Sequence, residues 1–157
     1  MNARGFVVSL HVAPTGAAPI QNRDCVEAVA GRGLEGDRYF VGVGTYSRDP
    51  GSGRHVTLIE AEALEGLKHD YGIAIAPGDS RRNVVTRDVP LNHLVNREFL
   101  IGNVRLRGTR LCEPCAHLEK LTEGGALRGL VHRGGLRAEI LSGGTIRVAD
   151  PIMLPDD

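Results

Sequence analysis

Glu98-Phe99-Leu100-Ile101-Gly102-Asn103-Val104-Arg105-Leu106-Arg107 places Phe99, Ile101, Val104 and Leu106 at alternate positions on either side of a Gly-Asn pair. Period-two alternation around a turn dipeptide predicts a β-hairpin with one apolar face. The same signal recurs outward from it. Phe6 to Val12 alternates with β-branched residues and reads as a strand, and Cys25 to Ala30 reads as another, ending in Gly31-Arg32-Gly33. His55 to Ile59 and Asn83 to Thr86 are further short strands. Leu136–Leu141 and Thr145–Val148 read as a terminal hairpin joined by Ser142-Gly143-Gly144. Only 60–71 shows clear helical spacing, through Ala61, Leu64, Leu67 and Lys68, with Gly72 placed as a C-cap. Leu118 to Leu130 is read as one or two short helices broken at Gly124-Gly125. The 21 glycines mark turns and barrel corners and oppose long helices. The expected architecture is one mainly β domain over residues 1–157, a closed or partly closed β-barrel with a few short helices.

Composition bounds the function. A chain of 157 residues is long enough to bury about two-thirds of its unfolded surface. Hydrophobic content of 41% and charged content of 24% are those of a globular protein. Nineteen basic and nineteen acidic residues cancel, which argues against nucleic acid or a membrane surface as partner. Lys68 and Lys120 are the only lysines, so nearly all positive charge sits on arginine, the residue suited to bidentate contact with phosphate and carboxylate. No apolar run approaches a membrane span, and Met1 to Gly5 lacks a signal-peptide run, so a reducing cytoplasm with free thiols is expected.

The cysteines are Cys25, Cys112 and Cys115. Chemistry concentrates in Thr109-Arg110-Leu111-Cys112-Glu113-Pro114-Cys115-Ala116-His117. A structural zinc would need a second ligand pair, and a thioredoxin-like pair would need a βαβ setting. Two buried cysteines acting as small hydrophobes is the plain alternative, and for Cys112 it stays open. Cys115 follows Pro114 and precedes a candidate helix start, where a helix N-terminus favours the thiolate. A thiolate is a soft ligand or a nucleophile, which makes Cys115 the leading candidate for either role.

Seven short segments together resemble the MOSC family, named for the C-terminal domain of molybdenum-cofactor sulfurases. They are Gly-Leu-Glu-Gly-Asp-Arg (33–38), His-Val-Thr-Leu-Ile-Glu-Ala-Glu (55–62), Arg-Arg-Asn-Val-Val-Thr (81–86) and Phe-Leu-Ile-Gly (99–102). Gly-Thr-Arg-Leu-Cys-Glu-Pro-Cys (108–115), Arg-Gly-Gly-Leu-Arg-Ala-Glu-Ile-Leu (133–141) and Gly-Gly-Thr-Ile-Arg-Val-Ala-Asp-Pro-Ile (143–152) complete them. The resemblance implies a β-barrel of the pyruvate-kinase type and a pterin-based molybdenum cofactor whose metal is held by Cys115. It implies that Arg81 and Asn83 help hold the pterin and its phosphate, with Arg82 as the alternative for the phosphate. Thr109, Arg110 and His55 are expected to line the same pocket. Without the resemblance, Arg81-Arg82 also reads as a solvated turn, and Asp37 as a turn-ordering residue that pairs locally with an arginine.

The resemblance further implies reduction of N-hydroxylated compounds, of the hydroxylaminopurine or amidoxime kind, to amines. His117 or His132 would donate the proton, since imidazole titrates near neutrality. The chain has no iron–sulfur cysteine set and no G-x-G-x-x-G fingerprint, so a separate reductase is expected as electron donor to an enzyme acting on a small-molecule substrate. A small domain with an open pocket could also form a homodimer. The alternative function is a carrier of cofactor or sulfur using a Cys115 persulfide, and a third reading is a zinc or redox C-x-x-C module.

Overall fold

The computed structural model of the protein describes residues 1–15, 18–40, 55–112 and 133–156. Among these residues the elements run β1 (Asn2–Val12), β2 (Gln21–Arg23), β3 (Cys25–Val29), β4 (Gly33–Leu34), β5 (Val56–Glu60), α1 (Ala61–Tyr71), β6 (Val84–Arg87), β7 (Glu98–Ile101), β8 (Val104–Leu111), β9 (Leu136–Ser142), β10 (Gly144–Arg147) and β11 (Pro151–Leu154). Two 3₁₀ turns, Pro77–Ser80 and Leu91–Leu94, join them. Strands pair in the order β11-β7-β8-β9-β5-β6-β1, and β1 pairs again with β11, which closes a seven-strand barrel. The β7–β8 hairpin is the one read from residues 98–107, with Ile101 opposite Val104. Every pairing in the ring is antiparallel except β5 with β6. A parallel pair needs a crossover, and α1 supplies it. Gly72 caps that helix in the left-handed conformation at φ 68°, its N–H bonded to the Lys68 carbonyl. The described helix is not long and apolar enough to cross a membrane.

Inward-facing residues fill the barrel: Val7, Leu10, Val56, Leu58, Val84, Phe99, Ile101, Val104, Leu106, Leu136, Ala138 and Ile152 among them. Seven strands leave only enough interior for such side chains, so the inside is core and the outer face is where a ligand can be met. A second apolar cluster lies outside the ring, where Ala61, Leu64 and Leu67 of α1 pack on Ile59 and Val85. The expected terminal hairpin is corrected. β9 pairs with β5 and β8, so both its edges are taken, and β10 pairs with β3 in a separate sheet ordered β10-β3-β4. The pairing directions put the end of β8, the start of β9, the end of β5 and the start of β1 at one end of the barrel. Leu91 and Leu94 of the second 3₁₀ turn are buried in the barrel core.

Candidate functional site

A line of polar residues crosses the outer face of five of the barrel strands and continues onto β2. Arg110 stands opposite Arg137, and Arg137 opposite Thr57. Thr57 exchanges bonds with Asn83, the His11 N–H donates to the Asn83 carbonyl at 2.8 Å, and His11 stands opposite Asn22. The face follows from alternation, because Val56 and Leu58, Leu136 and Ala138, and Leu10 and Val12 all belong to the interior. Thr57 and Asn83 are only 2% and 1% exposed, so the middle of the line is covered, while Arg110 and Asn22 at its ends are exposed. At the β2 end the cover is the Pro77–Ser80 turn. A Cβ at Gly78 would lie 3.0 Å from His11 Nδ1 and 3.2 Å from Asn22 Oδ1, and glycine is what lets the turn settle there.

Asn83 is the stitch of this line. Its Oδ1 accepts from the Thr57 N–H at 2.9 Å and from Thr57 Oγ1 at 3.1 Å, and its Nδ2 donates to the His11 carbonyl at 3.1 Å. The side chain thereby ties β5 to β1 across the start of β6, where a ladder bond alone could not reach.

Arg81 and Arg82 diverge. Arg81 holds φ 60°, a left-handed conformation uncommon for a residue with a side chain, and strain of this kind clusters at functional sites. Its Nη1 donates to the Ala18 carbonyl at 3.1 Å, while Arg38 Nη2 donates to the Arg81 carbonyl at 3.1 Å. Burial, and then the charge of Arg38, lower the Arg81 pKa, against the pull of Tyr39, Asp37 and Asp79. Two guanidiniums therefore lie near each other, with Asp37 and Asp79 as the nearby anions. Asp37 keeps the pair in place: its Oδ1 accepts from the Ala13 N–H at 3.0 Å and from Arg38 at 3.3 Å. Arg82 instead donates from Nε to the Gly134 carbonyl at 2.7 Å and from Nη2 to the Cys112 carbonyl at 3.4 Å. Gly134 and Cys112 flank residues 113–132, and the Cys112 N–H donates to the Gly135 carbonyl at 2.7 Å. The base of the Cys115 segment is thus pinched shut by a ladder bond and a buried guanidinium.

The family model of the MOSC domain matches residues 45–153. The chain belongs to the MOSC family. Solved structures share the fold of this MOSC domain. The YUAD protein from Bacillus subtilis superposes with a TM-score of 0.77 at 19% identity, over 97% of this chain and 94% of that one. YiiM from Geobacillus stearothermophilus gives 0.73 at 13% identity, over 97% and 75%. YiiM from Escherichia coli gives 0.67 at 16% identity, over 100% and 71%. A comparison with curated proteins finds no match. MOSC domains are associated with the molybdenum cofactor.

The remaining candidates of the MOSC domain fall into two groups. Cys115, His117 and His132 lie outside the described residues. His55 is 4% exposed at the start of β5, and its Nδ1 accepts the Ile140 N–H at 3.0 Å. The ring proton therefore sits on Nε2, which is buried and has no partner among the described residues. Thr109 bonds the Arg137 carbonyl at 3.0 Å where β8 bulges against β9, and Arg110 is exposed beside it. Five participants were not singled out from the sequence: Arg137, Arg38, His11, Thr57 and Asn22. For Arg137 the signal was present as a charged residue alternating with Leu136 and Ala138, but its burial is a tertiary fact. Beyond the line, Glu60 opens on a cavity of about 100 Å³ lined also by Ala63, Asn92, Arg133 and Gly135. Burial raises the Glu60 pKa, opposed first by a hydrogen bond from the Leu91 N–H at 3.2 Å.

Proposed function

We propose that this MOSC domain holds a pterin molybdenum cofactor, with the metal on the Cys115 thiolate, and reduces N-hydroxylated small molecules to amines. The observation that carries the reading is an unmet donor on the polar line beside the neck of the Cys115 segment. Among the described residues Arg137 Nη1 is buried without an acceptor, as is His55 Nε2 at the start of β5, and buried polar groups in native proteins are almost always paired. A phosphate-bearing, acceptor-rich pterin matches that deficit. Arg81, steadied by Arg38, would take the phosphate, with Asn83, Thr109 and Arg110 around it and His55 as a donor. Arg82 would fix the neck through which the Cys115 segment is presented.

When bound, the cofactor supplies two-electron redox chemistry. The net change in the substrate is R–NH–OH plus two electrons and two protons to R–NH₂ and water. A separate reductase delivers the electrons, and His117 or His132 delivers a proton to the departing oxygen. The test is expression in a host that makes the cofactor, followed by elemental analysis and pterin fluorescence on the wild type and Cys115→Ser. Near-equal molybdenum and pterin in the wild type, lost in the variant, support the reading. Zinc alone, or a Cys115 persulfide without molybdenum, would turn the assignment to a metal module or to a sulfur carrier.

A further inference from the structure

Arg137 and Arg110 are cross-strand partners on one face of the barrel, next to the neck of the Cys115 segment. Like charges facing each other across a ladder destabilise it unless something negative lies between them. Neither makes an ion pair among the described residues, and the acid on the same face of β9, Glu139, stands opposite Arg107 instead. Arg137 Nη1 is buried with no acceptor among the described residues, while the residue as a whole is only partly buried. A sheet built for stability alone would place a carboxylate here or leave the arginine in water. Arg38 and Arg81 make a separate cationic pair in the loops that flank the line.

We propose that Arg137 and Arg110 form an oxyanion subsite that takes a phosphate-type group of a ligand of this domain. The guanidinium forks present several N–H donors on the same side, the geometry that suits tetrahedral oxyanions. The subsite deepens the function proposed above, and its ligand's place in a reaction rests on that reading. Its binding chemistry does not, because it needs no molybdenum. The oxyanion belongs to an anionic substrate such as a phosphorylated hydroxylaminopurine, because Arg81 already answers the phosphate of the cofactor.

The experiment uses the full chain from a host lacking the cofactor, titrated with inorganic phosphate and followed by thermal melting. Phosphate is expected to raise the wild-type melting temperature, and its affinity should fall about tenfold or more in Arg137→Met and in Arg110→Met. In phosphate-free buffer Arg137→Met should melt no lower than the wild type, because an unpaired buried donor has been removed. Wild-type phosphate binding by Arg137→Met would overturn the subsite. Should Arg137→Met fail to fold, exposed Arg110 decides, and unchanged binding in Arg110→Met overturns it equally. Loading with cofactor then checks the source: retention of phosphate binding supports a substrate subsite, and its loss overturns that assignment. A chain that takes up no molybdenum in the loading host defeats the function proposed above and leaves the phosphate result standing.

Discussion

Arg82 Nε donates to the Gly134 carbonyl at 2.7 Å across a separation of 52 residues. The same guanidinium reaches the Cys112 carbonyl, so one buried side chain holds both ends of the segment that carries Cys115. Replacing Arg82 with Met keeps the aliphatic stem and strands two carbonyls, at a cost of about 2–3 kcal/mol for bonds to a charged donor. Urea unfolding should show that loss, and molybdenum content should fall with it even though Cys115 is intact. Arg82→Lys restores the charge but not the two-pronged reach, so it should recover only part of both. Wild-type stability together with wild-type molybdenum content in Arg82→Met would rule out the clamp.

His11 makes stability depend on pH. Burial pushes its imidazole below the ordinary 6.5, while the hydrogen bond that His11 gives Asn22 Oδ1 and the charge of Asp79 pull the other way. The unfolded chain therefore binds the His11 proton more readily than the folded one. Its contribution is complete above 6.5 and is lost as pH falls through the lower folded value. Urea midpoints measured from about pH 7.5 to about pH 5 should drop more steeply in the wild type than in His11→Gln. Parallel slopes would exclude His11 as the source.

Gly135 sits where β9 meets β5, at φ 112°. A Cβ there would overlap the Leu58 carbonyl oxygen, a backbone atom that cannot rotate aside. Gly135→Ala combines left-handed strain with that clash and should cost about 2–4 kcal/mol or prevent folding. Because the Gly135 carbonyl also accepts the Cys112 N–H, the damage should reach the neck of the Cys115 segment. A melting temperature within experimental error of the wild type would show that the strands can separate there at no cost.

What the sequence disclosed was what is local. The 98–107 hairpin needs only alternation and a turn pair, and Ile101 does face Val104. The terminal hairpin failed because local alternation does not reveal that both edges of β9 are occupied. β2 escaped notice because Gln21–Arg23 is three exposed polar residues whose strand character comes from β1. The site divides in the same way. Resemblance located Arg81, Arg82 and Asn83, but only geometry separates a strained arginine beside Arg38, a clamp on the neck and an amide that ties β5 to β1. Arg137 needed burial, and burial belongs to the assembled barrel.

Glu60 runs opposite to His11. Burial in the small cavity beside Arg133 raises its pKa above the ordinary 4.5, with Glu62 adding to the shift and Leu91, Arg133 and His93 opposing it. A carboxyl with a raised folded pKa favours folding while protonated, and that advantage disappears as pH rises through the folded value. At neutral pH keeping Glu60 in the fold therefore costs stability that it does not cost at acid pH. Glu60→Gln keeps an amide oxygen for the Leu91 N–H and removes the charge. Its melting temperature should exceed the wild type at neutral pH, and the difference should shrink as pH falls toward 4.5. A variant less stable than the wild type at neutral pH would mean that the attraction of Arg133 and His93 outweighs the cost of burial, and that Glu60 serves the cavity as a permanent anion.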